Sequence, residues 1–69
     1  MTELVFVVEE DPDGGYTARS VGESIFTEAD TLDALRQNIR EAVACHYDAA
    51  DERPRLIRLH LTRDEVFAL

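Results

Sequence analysis

A chain of 69 residues with 15 acidic and 7 basic residues has a formal net charge of −8, which disfavours direct binding to nucleic-acid phosphates. The single cysteine excludes a disulfide within the chain, and the length predicts one domain, residues 1–69, with a small core. Because small domains without disulfides often gain stability by association, we expect the protein to form an oligomer. The chain shows no signal-peptide pattern and no apolar run of roughly 18 residues, so a cytoplasmic location is expected.

The first predicted element is a strand over residues 3–9, which is rich in β-branched and aromatic residues. Both of its alternating faces are apolar: Leu4, Phe6 and Val8 form one, Val5 and Val7 the other. A strand that is apolar on both faces is central in its sheet and covered on both sides. One cover can be a helix of this chain, so the second face needs another protein surface.

The stretch from Glu9 to Ala18, EEDPDGGYTA, predicts the turn of a β-hairpin. Proline presets its own φ, and the two glycines adopt positive φ without steric cost. Second and third strands are predicted over residues 16–21 and 23–27, separated by a turn at Gly22. The hairpin lacks the further ligands of a calcium loop. We therefore interpret it as a solvated acidic surface that faces a partner, formed by Glu9, Glu10, Asp11, Asp13 and Tyr16.

An amphipathic helix is predicted to start within residues 28–31 and to run to about Tyr47, with Asp30 or Thr31 as its cap. Its apolar stripe, with helical spacing, consists of Leu32, Leu35, Ile39, Ala42, Val43 and His46. A polar loop ends at Pro54, and the alternation over residues 55–62 predicts the last strand. The tail from Arg63 to Leu69 ends in apolar residues, which we expect to pack on the domain or on a neighbour.

The order β-β-β-α-β predicts an α+β fold with a four-stranded mixed sheet in the order 3-2-1-4 and one helix on one face. The other face then carries part of the first strand and part of the last. An apolar sheet face left bare on a small domain usually marks an interface. We predict an oligomer interface formed by Val5, Val7, Leu56, Arg58 and His60.

No catalytic residue, cofactor site or metal site is predicted. His46 and His60 lie on different elements and match no short metal-ligand spacing, so they are interpreted as packed, interfacial or solvated histidines. Cys45 is interpreted as a small buried hydrophobe. Two separate histidines and an acidic turn provide no assembled acid–base set, which argues against an enzyme.

Two segments, VVEEDPDGGYTA and IFTEADTLDALRQNIREAV, resemble the HicB-like antitoxin family. The resemblance covers roughly residues 4–47 and is carried by Gly15, Tyr16, Ala18, Phe26, Thr27, Thr31, Leu32, Ala42 and Val43. It implies a partial ribonuclease H-like fold without catalytic residues, assembly into a dimer or tetramer, and binding of a small basic toxin of the HicA type. The chain ends soon after its last predicted strand, so the DNA-binding segment of full HicB proteins is not expected, nor is direct nucleic-acid binding.

The leading functional hypothesis is therefore a non-enzymatic, oligomeric, antitoxin-like binding module. Residues 1–29 carry seven acids and one arginine, while residues 55–69 carry two acids and three arginines, and an acidic surface attracts a basic protein or simply maintains solubility. The alternative is an accessory or small-ligand-binding domain with a metabolic role. It needs a pocket lined by apolar groups with a few convergent polar ones, and a well-formed cavity near His60, Arg58 and Tyr16 would favour it.

Overall fold

The computed structural model describes residues 2–69, which form four strands, one α-helix and a single 3-10 turn. The elements are β1 (Glu3–Glu10), β2 (Tyr16–Ser20), β3 (Phe26–Ala29), α1 (Leu32–His46), the 3-10 turn (Ala50–Glu52) and β4 (Leu56–Thr62). The sheet order is β3-β2-β1-β4. Strand β1 pairs antiparallel with β2 and parallel with β4, and β2 pairs antiparallel with β3. The predicted mixed sheet with one helix is confirmed.

The core lies between α1 and one face of the sheet. Its buried apolar side chains are Leu4, Phe6, Val8, Ala18, Ile25, Leu35, Ile39 and Val43. Phe6 and Leu35 have no solvent exposure, since the helix stripe lies directly over the centre of the sheet. The helix begins as its sequence predicts, because the Thr31 hydroxyl accepts a hydrogen bond from the Ala34 amide at 3.1 Å.

The third strand lies later than the predicted residues 23–27. Ser20 is the reason, because its hydroxyl donates to the Glu23 carbonyl at 2.7 Å and accepts from the Ile25 amide at 3.1 Å. These bonds hold residues 21–25 in a turn, and Ile25 fills the core before the strand begins at Phe26.

The hairpin turn has the glycine geometry that its sequence predicts. Gly14 and Gly15 have φ angles of 103° and 87°. The Asp11 amide donates to the Gly15 carbonyl at 2.9 Å, and the Asp11 carboxylate accepts from the Asp13 amide at 2.9 Å. At least one of the hairpin carboxylates therefore has a structural role in the turn.

Among residues 2–69, no helix is both long enough and apolar enough to cross a membrane.

Candidate functional site

The sheet face opposite α1, called the open face here, carries the five residues predicted as an oligomer interface. The register places Val5 opposite Arg58 and Val7 opposite His60. Side chains alternate along a strand, and Phe6 and Val8 face the helix. The five predicted interface residues therefore point to the opposite side of the sheet, away from the helix. The structure thus brings the predicted set together on one face.

The open face is larger and more apolar than the sequence indicates. Val21, Phe26 and Leu56 are 54%, 62% and 63% exposed. Phe26 pairs with Arg19, which in turn pairs with Val7, so one row of side chains crosses all four strands and ends at His60. The sequence analysis placed Phe26 within the third strand, residues 23–27, but assigned it to neither face of the sheet. Exposed apolar groups this close together on a small domain mark an interaction surface.

One ion pair lies at the margin of the open face. The guanidinium of Arg58 donates from Nε to Glu3 Oε1 and from Nη2 to Glu3 Oε2, the second bond at 3.2 Å. The hydrogen bond from Arg58 lowers the pKa of the Glu3 carboxyl from its ordinary value of 4.5, against the opposing effect of desolvation. The same bond raises the pKa of Arg58. The pair joins the starts of β1 and β4, which are adjacent parallel strands.

This pair predicts a pH dependence of stability below neutrality. Because the folded state lowers the pKa of Glu3, its stabilisation is present above the unfolded pKa of 4.5 and is lost as the pH falls through the lower folded value. Arg58→Gln is expected to return the Glu3 pKa toward its ordinary value. An NMR titration of the Glu3 side chain measures this directly, with Arg63→Gln, at an exposed position after β4, as the control. An unchanged Glu3 midpoint in Arg58→Gln contradicts the assignment.

A second surface, called the acidic end here, lies at the hairpin side of the molecule. Glu9, Glu10, Asp11 and Asp13 are all exposed there. The structure adds Glu28 and Asp30, which line a concavity of about 720 Å³ together with Asp11. These two residues come from β3 and the helix entry, so only the fold shows that they extend the hairpin charge. No arginine or lysine among residues 2–69 lines that concavity.

Tyr16 differs from the other residues predicted for the partner-facing hairpin. It is half-buried and packs against the core on the helix side of the sheet. Arg58 and His60 point to the open face, so these three side chains cannot line one cavity. The cavity that would favour the small-ligand hypothesis is therefore not formed by these three residues, because alternation places them on opposite sides of the sheet.

The two histidines lie on different elements, His46 at the end of α1 directly after Cys45, and His60 in β4. His46 Nε2 lies 3.2 Å from Glu23 Oε2, and its ring makes an edge contact with Tyr47. Burial, with a further contribution from Glu23, raises the pKa of Tyr47. Cys45 is exposed, so its interpretation as a buried hydrophobe is wrong: it lies outside the Leu35, Ile39 and Val43 stripe. Among residues 2–69, no three His, Cys, Asp or Glu side chains are grouped as a metal site requires.

The chain is similar to two proteins that are each named UPF0150 protein. The one from Archaeoglobus fulgidus is 49% identical over 53 residues, which cover 77% of each chain. The one from Thermotoga maritima is 36% identical over 67 residues, which cover 97% of this chain and 93% of the relative. No family model and no solved structure matches the chain. Identity at this level over nearly the whole length shows that the chain belongs to the UPF0150 family.

Proposed function

We propose that this protein is a non-enzymatic, oligomeric binding module of the HicB-like type, which self-associates through the open face and binds a small basic protein at the acidic end. The open face is the single observation that carries the proposal. A soluble domain of 69 residues with Val21, Phe26 and Leu56 each more than half exposed on one sheet face requires a cover for that face.

The composition of the open face favours a second copy of the chain as the cover. It combines a central apolar strip, Val5 and Val7, with charges of both signs, Glu3 and Arg58 among them. Two copies related by a two-fold axis place the same patch against itself, so a mixed face of this kind can satisfy its own charges. An apolar centre with a polar rim is also the usual anatomy of a protein interface.

The acidic end supports the second half of the proposal. Glu9, Glu10, Asp11 and Asp13 are exposed in the hairpin, and Asp11 lines one concavity with Glu28 and Asp30 from β3 and the helix entry. A cluster of one sign accelerates encounter with a protein of opposite sign and makes the association dependent on salt. A small basic protein of the toxin type is the partner that both this charge and the family resemblance favour.

Self-association is tested by solution mass. Val7→Asp introduces a charge into the centre of the open face, where Arg19 and His60 are its cross-strand neighbours and can pair with it in a monomer. We expect the variant to fold and to lose the open-face contact, with the dissociation constant raised by about 100-fold or more, because burying the carboxylate in an apolar interface costs its desolvation even where a neighbour pairs with it. Sedimentation in reducing buffer measures this, since Cys45 is exposed.

The control for that experiment is Ala34→Asp, which adds the same charge at an exposed position in the first turn of α1, where an acid is tolerated well. Its mass should equal that of the unmodified chain. A chain that is strictly monomeric at micromolar concentration, before any substitution, contradicts the proposal outright.

Partner binding is tested by charge reversal at the acidic end. Glu9→Lys with Glu10→Lys is expected to weaken co-purification with a small basic protein encoded beside this gene by about tenfold at low salt, because steering depends on the local charge. Glu41→Lys with Asp48→Lys changes the net charge equally at exposed positions away from the hairpin and serves as the control. An equal loss of binding in both double variants would show that binding depends on net charge alone, which contradicts a contact at the acidic end.

A further inference from the structure

A groove runs between α1 and β4 on the helix side of the sheet, opposite the open face. The helix lies nearer to β2 and β3 than to β4, so the last strand is only partly covered, and Leu61 remains 57% exposed. Two concavities, of about 140 Å³ and about 400 Å³, lie there and share Arg40 and Ile57. Together they form one groove, called the basic groove here, with an apolar floor of Ile39, Val43, Ile57 and Leu59.

Every charged residue that lines the basic groove is an arginine. The four are Arg36, Arg40, Arg53 and Arg55, in a chain with 7 basic and 15 acidic residues. Arg36 pairs with Asp33, but among residues 2–69 the other three form no ion pair with a carboxylate. Arg53 is held in place because its Nε and Nη2 donate to the Tyr47 and Ala44 carbonyls at 3.3 and 3.2 Å, which leaves Nη1 for a ligand. The groove therefore offers positive charge that lacks a counter-charge.

The free edge of β4 runs along the same groove. Strand β4 ends the sheet, and the Leu56 amide donates inward to the Thr2 carbonyl at 2.9 Å. Backbone groups alternate in direction along a parallel ladder, so the N–H and C=O groups of Ile57, Leu59 and Leu61 point away from β1. The side chains of these three residues lie on the helix side. A strand added at this edge would therefore meet both free backbone groups and the groove.

We propose that the basic groove and the β4 edge bind an extended segment of a partner protein in which apolar and acidic side chains share one face. The segment pairs with β4 as an additional strand, which is a common mode of peptide recognition. Its apolar side chains cover Ile57 and Leu59, and its carboxylates accept hydrogen bonds from Arg40 and Arg55 on the same side of the sheet. The site is separate from the open face and the acidic end, and it does not depend on either.

The charge and the lining of the groove disfavour other occupants. The segment after β4, residues 63–69, leaves the sheet at the hairpin side, whereas Arg55 lies at the opposite end of the strand. Its apolar residues Val66, Phe67 and Leu69 are exposed and do not pack on their own domain. No aromatic residue among residues 2–69 lines either concavity, so nucleic-acid bases would find no stacking surface. The net charge of −8 also opposes a phosphate backbone.

Binding is tested with the full chain and a labelled peptide, acetyl-TVTVTETET-amide, whose valines and glutamates share one face of a strand. We expect saturable binding that weakens with salt. The same peptide with glutamine in place of both glutamates should bind about tenfold more weakly, because it lacks the charges that pair with arginine. A version N-methylated at both valines should also bind more weakly, since it cannot donate from those positions to β4. The proposal fails if binding is absent at millimolar peptide, or if all three peptides bind equally.

The groove is tested by charge reversal at two exposed positions. Arg40→Glu with Arg55→Glu is expected to weaken binding of the glutamate peptide by about tenfold or more. Arg19→Glu with Arg63→Glu changes the net charge equally at exposed positions outside the groove and is the control. A lysine peptide, acetyl-TVTVTKTKT-amide, should bind the groove variant more tightly than the glutamate peptide does, a gain that a misfolded variant cannot show. Equal losses in both double variants contradict the proposal.

Amide hydrogen exchange locates the bound peptide. The amides of Ile57, Leu59 and Leu61 should exchange more slowly in the complex, while the Leu56 amide, which is already paired within the sheet, changes little. Protection of the three outward amides in the free chain, with a mass that falls when Arg40 and Arg55 are reversed, would show that a second copy occupies the edge and would overturn the proposal. So would a labelled single-stranded oligonucleotide that displaces the peptide.

Discussion

Phe6→Ala is expected to lower the free energy of unfolding by about 3–5 kcal/mol, the usual cost of removing a buried phenylalanine ring. Phe6 is fully buried at the centre of β1 and faces the helix. At about 0.05–0.15 kcal/mol per residue, a domain of this length has only about 3–10 kcal/mol of stability in total. Urea denaturation followed by circular dichroism measures the loss, and much of the population should be unfolded at room temperature.

The matched control is Phe26→Ala, which removes the same ring from the open face, where it is 62% exposed. In the Val7→Asp background, where the open-face contact is absent, we expect a stability change within about 0.5 kcal/mol. In the unmodified chain the same substitution should weaken self-association instead. Similar losses of stability at both positions in that background would show that Phe26 packs within its own domain.

Gly15→Ala is expected to destabilise the fold by about 2–5 kcal/mol, the sum of a strained backbone and overpacking. The φ of Gly15 is 87°, which a residue with a Cβ rarely adopts. In addition, a Cβ placed on Gly15 would lie 2.9 Å from the Ala29 carbonyl oxygen. That oxygen belongs to the backbone where β3 pairs with the start of β2, so it cannot move aside as a side chain would.

Gly14→Ala separates the two causes of that loss. Gly14 has a φ of 103°, but a Cβ there would meet no atom within 4 Å. Alanine at this position should cost the backbone strain alone, about 1–3 kcal/mol. The difference in unfolding free energy between Gly15→Ala and Gly14→Ala gives the cost of the close approach of β3 to residue 15. It is measured by the midpoints of urea denaturation at equal slope. Equal losses would mean that the approach of the Ala29 carbonyl contributes nothing.

Much of the fold follows from short-range patterns. The doubly apolar β1, the glycine turn and the Thr31 cap each depend on residues close together in the chain, and each agrees with the structure. The predicted bounds of the third strand do not agree with the structure. The Ser20 hydroxyl forms hydrogen bonds with the Glu23 carbonyl and the Ile25 amide, so the strand begins only at Phe26. Nothing in the alternation of residues 23–27 reveals that competition, since serine is also an ordinary strand residue.

The residues of the candidate surfaces also differ in whether local sequence patterns could assign them. Val5, Val7, Leu56, Arg58 and His60 could be assigned to one face, because strand alternation and the parallel crossover are strong rules. Glu28 and Asp30 could not be assigned to the acidic end. Nor could Arg40, Arg53 and Arg55 be grouped at the start of β4. Each of these sets comes from two or more elements whose closeness depends on how the helix lies across the sheet.

The amino-acid sequence alone determined the order of the elements, the sheet topology and the apolar character of both faces of β1, because periodicity and turn chemistry are local properties. The tertiary structure decided which charges stand together: acids at the hairpin side, and Arg40, Arg53 and Arg55 at the far end of β4. It also decided that Cys45 is exposed and that Tyr16 lies on the opposite face from His60. These are properties of packing between distant segments, which no pattern within one segment encodes.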